Sequence, residues 1–128
     1  MDRNLVLVVE DEYFIAHDCA KVLTECGCQV AGPFCRLEDA FQFLDEGSER
    51  IDGALLDVNL QGSAVYPLLE RLLEMKIPIA LYTGYAADYL PKQFRDLPVF
   101  TKPEPTCKAA EYICNRIRQR PSNRIVRH

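Results

Sequence analysis

No stretch of this chain stays apolar for more than about five residues, far short of the ~20 that a membrane helix needs. No basic segment leads into an apolar one at its start, so a secretory signal is not expected and the cytoplasm is the expected compartment. Imidazole is scarce, with only His17 and His128. None of the six cysteines, at 19, 26, 28, 35, 107 and 114, belongs to a C-x-x-C pair, which leaves a zinc site without its spacing. In a reducing compartment they read as thiols packed like small hydrophobes. Cys19 and Cys26, like Cys107 and Cys114, are seven apart and share a helical face. No G-x-G-x-x-G follows the first apolar run, so a dinucleotide site is excluded. Internal repeats, low-complexity tracts and linkers are absent as well.

What is present fits one soluble domain. The chain has 128 residues, 48% hydrophobic and 27% charged. A domain of that size buries roughly two thirds of its unfolded surface and needs no covalent staple. The net charge of −4 hides an asymmetry: five arginines and no acid stand from Arg116 onward, leaving the rest at 10 − 19 = −9. An acidic body excludes a nucleic-acid face across the domain, and no direct DNA binding is expected. The basic end reads as a helix terminus, where cations suit the macrodipole, followed by a frayed tail. The expected division is a domain over residues 1–120 and a basic tail over 121–128.

Leu5-Val6-Leu7-Val8-Val9 is a continuous apolar run, the pattern of a parallel strand covered on both faces, and it ends in Glu10, Asp11 and Glu12. Phe14, Ile15, Cys19, Val22, Leu23 and Cys26 then recur at helical spacing, with Gly27 as the stop. Gln29-Val30-Ala31 predicts a short edge strand closed by Gly32-Pro33. A helix is expected over Asp39 to Glu46, a third strand at Gly53 to Asp57, and a third helix from about Ser63 to Lys76. Ile77 to Tyr82 is a fourth strand ending in Thr83-Gly84. The segment Ala86 to Leu90, halted by Pro91, has room for scarcely two turns of a fourth helix. Val99-Phe100 is a fifth strand, and Ala109, Ala110, Ile113, Cys114 and Ile117 mark a final helix. Alternating strands and helices predict an α/β fold, a doubly wound five-stranded parallel sheet with five helices, the fourth short or irregular.

In such sheets ligands bind at the carboxyl ends of the strands. The residues expected there are Glu10, Asp11, Asp57, Thr83 and Lys102. Each alone has a plain explanation as a cap, a strand-end hydroxyl or a solvated charge. Together they are a set of parts. Crowded carboxylates repel unless a cation compensates, and a hard ion such as Mg²⁺ takes one or two carboxylates, waters and phosphate oxygens. The loose transition state of phosphoryl transfer needs positioning and charge stabilisation, which a metal, a lysine and a hydroxyl supply around a carboxylate nucleophile.

Four motifs in order carry a resemblance: Val8-Val9-Glu10-Asp11-Glu12, Leu55-Leu56-Asp57-Val58-Asn59, Leu81-Tyr82-Thr83-Gly84 and Thr101-Lys102-Pro103. Over nearly its whole length the chain resembles a response regulator receiver domain, which implies a flavodoxin-like sheet of order 2-1-3-4-5. The resemblance implies Asp57 as the phosphoacceptor, charged by a phosphohistidine on a histidine kinase or histidine phosphotransferase. It implies Mg²⁺ on Asp11 and Asp57, with Glu10 helping directly or through water and the backbone carbonyl of Asn59 as a further ligand. Lys102 would pair with one phosphoryl oxygen and the Thr83 hydroxyl with another, and Gly84 would let its N–H approach. Pro103 commonly follows a cis peptide in such proteins. The implied activity is confined to the domain's own phosphorylation and dephosphorylation, so no classical enzyme is expected.

Two departures stand out. Val99 occupies the position where many receivers carry a switch aromatic, and Glu104 stands where an aromatic often follows Lys-Pro. The run Thr83-Gly84-Tyr85, Val65-Tyr66-Pro67-Leu68 and the weak fourth helix resemble the stand-alone receivers called the FAT GUY group, with Leu81-Tyr82 in place of Phe-Ala. The loop through Tyr85, rather than a rotating aromatic, is then expected to carry the signal to an unknown downstream protein. Too few residues follow the last helix for a helix-turn-helix reader, so output is expected through protein contact or phosphate relay. A receiver-like interaction domain that works without phosphate is the alternative. A haloacid-dehalogenase-like phosphatase is disfavoured because Asn59 stands where a second aspartate would act. From the cysteine reading, unfolded protein should titrate six free thiols. A disulfide found by mass in protein from reducing cells would overturn it.

Overall fold

The computed structural model describes residues 4–47, 50–60, 63–84, 90–102 and 104–119. The elements run β1 (Leu5–Val9), α1 (Tyr13–Glu25), β2 (Gln29–Phe34), α2 (Leu37–Glu46), β3 (Gly53–Leu56), β4 (Asn59–Leu60), β5 (Ser63–Ala64), α3 (Tyr66–Glu74), β6 (Ile79–Thr83), β7 (Val99–Thr101) and α4 (Thr106–Gln119), with a 3₁₀ turn at Lys92–Phe94. Five strands pair in parallel in the order β2-β1-β3-β6-β7, and β4 and β5 form a separate antiparallel hairpin. With the hairpin set aside this is the order 2-1-3-4-5, the expected flavodoxin-like topology.

Period-two pleating divides the sheet between two cores. Leu7, Val9, Leu56 and Leu81 face Ala40 of α2 and Leu68, Leu69 and Leu72 of α3. Val6, Val8, Leu55, Ala80 and Tyr82 face Cys19 and Leu23 of α1 and Ala110 and Ile113 of α4. Helices on both faces leave no solvated side, which is why β1 is apolar at every position.

Several boundaries differ from the sequence expectation. The third helix does not begin near Ser63; Ser63–Ala64 pairs with Asn59–Leu60 in the hairpin, and α3 starts at Tyr66 with Pro67 in its first turn. Among the described residues there are four α-helices rather than five. Of the expected fourth, residues 86–89 lie outside the described residues, while Leu90 is buried and Phe94 of the 3₁₀ turn is fully so. Phe14 is not part of the buried stripe of α1, which is Ala16, Cys19 and Leu23; it is 79% exposed. The tail over 121–128 and Pro103 also lie outside the described residues. All six cysteines are free, and the Cys28 and Cys114 sulfurs approach to 3.8 Å. Burial pushes both thiols up. No helix among the described residues is long and apolar enough to cross a membrane.

The edge strand β2 does not stop at Ala31 but continues through Gly32-Pro33 to Phe34, whose carbonyl accepts the Glu10 N–H at 2.9 Å. Gly32 makes this possible with φ +103, and a Cβ there would stand 2.8 Å from the Val8 carbonyl oxygen and 2.6 Å from the Phe34 nitrogen. Both neighbours are backbone and cannot move aside. Gly32→Ala should therefore cost about 2 kcal/mol or more. A urea midpoint equal to that of the unmodified protein would show that the strand re-forms around the methyl.

Candidate functional site

The carboxyl ends of four parallel strands meet at one edge of the sheet. Glu10 follows β1, Asp57 follows β3, Thr83 ends β6 and Lys102 follows β7. The backbone ladder runs on past the strand ends: Asp57 N–H donates to the Val9 carbonyl at 2.9 Å, and Lys102 N–H to the Thr83 carbonyl at 2.8 Å. These bonds set the spacing of the residues that follow. Glu10, Asp57 and Thr83 are buried, Asp11 is half-buried, and Glu12 is exposed.

Lys102 reaches back across this edge. Its Nζ donates to Asp57 Oδ2 at 3.0 Å and lies 3.2 Å and 3.3 Å from the two oxygens of Glu10. A further bond goes to Glu12 Oε2, and the ring of Tyr82 lies below, 5.7 Å from Nζ to the centroid. Carboxylate oxygens of Glu10, Asp11, Glu12 and Asp57 all lie within 4.8 Å of one another. Four carboxylates against one ammonium leave an excess of negative charge, and an all-oxygen donor set suits a hard divalent cation.

Glu10 registers its burial. Burial first, and then the charge of Asp57, raise its carboxyl to about 7, against the opposing pull of the Glu12 N–H and Lys102. For Lys102, burial disfavours the ammonium, but hydrogen bonds to Glu12 and Asp57 outweigh it and hold the group charged well above its ordinary range.

The hairpin bears on Asn59. Val65 N–H donates to the Val58 carbonyl at 3.0 Å, so 58 and 65 are a hydrogen-bonded pair. By the alternation of antiparallel ladders the Asn59–Ala64 pair is a non-bonded one, and the Asn59 carbonyl points out of the hairpin. Gly84 follows Thr83 on the surface, and a Cβ on it would meet nothing within 4 Å. Tyr85 lies outside the described residues.

Thus Glu10, Asp11, Asp57 and Lys102 are brought together, with Thr83 at the next strand end. Sequence reasoning missed two participants. Glu12 belongs to the acid run after the first strand but read as an ordinary first-turn acid; here it binds Lys102. Tyr82 read as strand core, with no signal for its second role. Beside the acids, Tyr13 and Phe14 are 73% and 79% exposed, and a groove of about 350 Å³ runs between Asp11, His17, Pro33 and Cys35.

No protein-family model and no curated protein matches the chain. Solved structures do. The chain is 30% identical to SdrG from Sphingomonas melonis Fr1, with a TM-score of 0.74 over 91% of this chain and 98% of that one. The receiver (REC) domain of the PhyR response regulator from Erythrobacter litoralis is 24% identical, with a TM-score of 0.77 over 95% of each chain. A CheY-like receiver domain from Methylobacillus flagellatus is 21% identical, with a TM-score of 0.72 over 91% of this chain and 99% of that one. With its sheet order and its cluster of strand-end acids, the chain belongs to the response regulator receiver domains. Receiver domains are signalling modules.

The shift on Glu10 sets a pH dependence. Its folded value of about 7 lies above its ordinary 4.5, so folding favours the protonated form. That contribution is complete below pH 4.5 and is lost as pH rises through about 7. In a chelating buffer the melting midpoint should fall between pH 5 and pH 8, and Glu10→Gln should flatten the decline. An equal slope in both proteins would place the titration elsewhere.

Proposed function

We propose that this receiver domain takes a phosphoryl group onto Asp57 from a phosphohistidine on a histidine kinase or histidine phosphotransferase. The observation that carries the reading is the contact of Asp57 Oδ2 with Lys102 Nζ at 3.0 Å inside a cluster of three further carboxylates. In the reaction an Asp57 oxygen attacks phosphorus while the phosphorus–nitrogen bond to the donor imidazole breaks. The imidazole leaves with the electron pair, and Asp57 becomes a mixed anhydride.

Asp11, Asp57 and the Asn59 carbonyl, with Glu10 directly or through water, would hold Mg²⁺, which supplies positive charge beside the transferring group. Lys102 exchanges its bond to Asp57 for one to a phosphoryl oxygen. The Thr83 hydroxyl donates to another, and the open face of Gly84 admits the phosphate to its N–H. No step asks more of the protein than positioning and charge.

The signal is proposed to leave by protein contact or onward transfer of phosphate, through the segment after Thr83 that includes Tyr85. The acidic body argues against a DNA target. The cytoplasm, where histidine kinases present their phosphohistidine, is the proposed place of work.

Incubation with Mg²⁺ and acetyl phosphate tests this by intact mass. One phosphate should be gained by the native chain, none by Asp57→Asn, and none by Asp11→Ala. A native chain that gains nothing would favour an interaction domain working without phosphate. An equal gain in Asp57→Asn would place the acceptor elsewhere.

A further inference from the structure

Tyr82 sits one residue before Thr83 and is 4% exposed. Its ring packs in the core formed with α1 and α4, beside Cys19, Ala110 and Ile113. A buried phenol needs a partner. Tyr82 finds one outside the sheet: its hydroxyl donates to the backbone carbonyl of Glu104, in the loop that carries Lys102 from β7 into α4.

Two further bonds among the described residues lie within that loop. Glu104 N–H donates to the Thr101 carbonyl at 2.9 Å, and the Glu104 side chain accepts the Thr101 N–H at 3.0 Å. Both bonds close the loop on itself without tying it to the body. The Lys102 N–H reaches Thr83 at the end of the ladder. Tyr82 adds the bond that anchors the far side of the loop to the sheet. Its ring face, 5.7 Å from Nζ, is also attractive ground for an ammonium.

We propose that Tyr82 is a positioning residue for Lys102, holding the backbone of its loop through the hydroxyl and its ammonium through the ring. Glu12 is exposed, and Asp57 must release the lysine when it is charged. Of the contacts of Lys102 that this exchange leaves in place, with Glu10, Glu12 and Tyr82, that with Tyr82 is the uncharged one. Only the rate arm of the test rests on the phosphoryl-transfer reading above.

The test compares Tyr82→Phe, which removes only the hydroxyl, with Tyr82→Leu, which removes the ring as well. In metal-free full-length protein the Glu104 amide should exchange hydrogen about tenfold faster in Tyr82→Phe, the weight of one hydrogen bond. The amides of Val6 to Val9 should be unchanged. The Lys102 Hε protons should show an upfield ring-current displacement in the native chain and in Tyr82→Phe, and lose it in Tyr82→Leu. With Mg²⁺ and acetyl phosphate, Tyr82→Phe should be phosphorylated about tenfold more slowly at an unchanged half-saturating Mg²⁺ concentration, since Tyr82 bonds no carboxylate.

Unchanged exchange at Glu104, or no upfield displacement in the native chain, would reduce Tyr82 to core filling. So would a shift in the Mg²⁺ midpoint as large as the change in rate. If the native chain takes no phosphate, the functional reading fails while the exchange and ring-current arms still decide the role of Tyr82. Should Tyr82→Leu not fold, Tyr82→Phe decides the hydroxyl alone.

Discussion

One ammonium holds together carboxylates that would otherwise drive the sheet edge apart. Two like charges about 4 Å apart repel by roughly 4 kcal/mol at the effective dielectric of a protein surface. Here Glu10, Asp11, Glu12 and Asp57 crowd within 4.8 Å. Lys102 bonds three of the four, yet a single positive charge leaves the cluster negative. Glu10, the most enclosed of them, responds by holding its proton more tightly. The site keeps an excess of negative charge, which suits a hard cation.

The fold gathers these charges from remote parts of the chain. Residues 10, 57, 83 and 102 become neighbours because four parallel strands all point the same way. Short backbone bonds then fix their relative heights: Glu10 to Phe34, Asp57 to Val9, Lys102 to Thr83. The last of these couples the lysine to the threonine through the main chain. The bend at Gly32 belongs to the same arrangement, because it brings the end of the edge strand level with Glu10.

The elements with strong periodicity were legible in the sequence, as were the residues at the strand ends. Leu5–Val9 reads as a doubly covered strand because no position tolerates water, and the structure has helices on both faces. What local pattern did not reveal depends on contacts distant in sequence. The hairpin of β4 and β5 carries apolar Leu60, and Val65 just after it, into the core with spacing that fits a helix equally well. Gly32-Pro33 reads as a strand end, since only the neighbouring β1 backbone shows that the strand continues. Phe14 joins an apolar series by spacing but lies off the buried stripe. Glu12 and Tyr82 escaped for one reason: each is defined by Lys102, some twenty to ninety residues away.

The aromatic residues also constrain how this domain can switch. Val99, at the position of the usual latch, packs into the core with α2 and α3 and pairs with Leu81. Its neighbour Phe100 faces the other core, beside Tyr82 across the ladder and 5.7 Å from the Tyr112 ring of α4. A swing of Phe100 would break contacts on two sides at once. Val99 is too small to act as a lever. The groups at this edge able to exchange partners are therefore polar ones, Lys102 and Thr83, and the aromatic framework around them serves better as a fixed wall than as a moving part. On the proposed function, a change at this edge would begin with the hydrogen bonds of Lys102 and Thr83 rather than with the packing of Phe100.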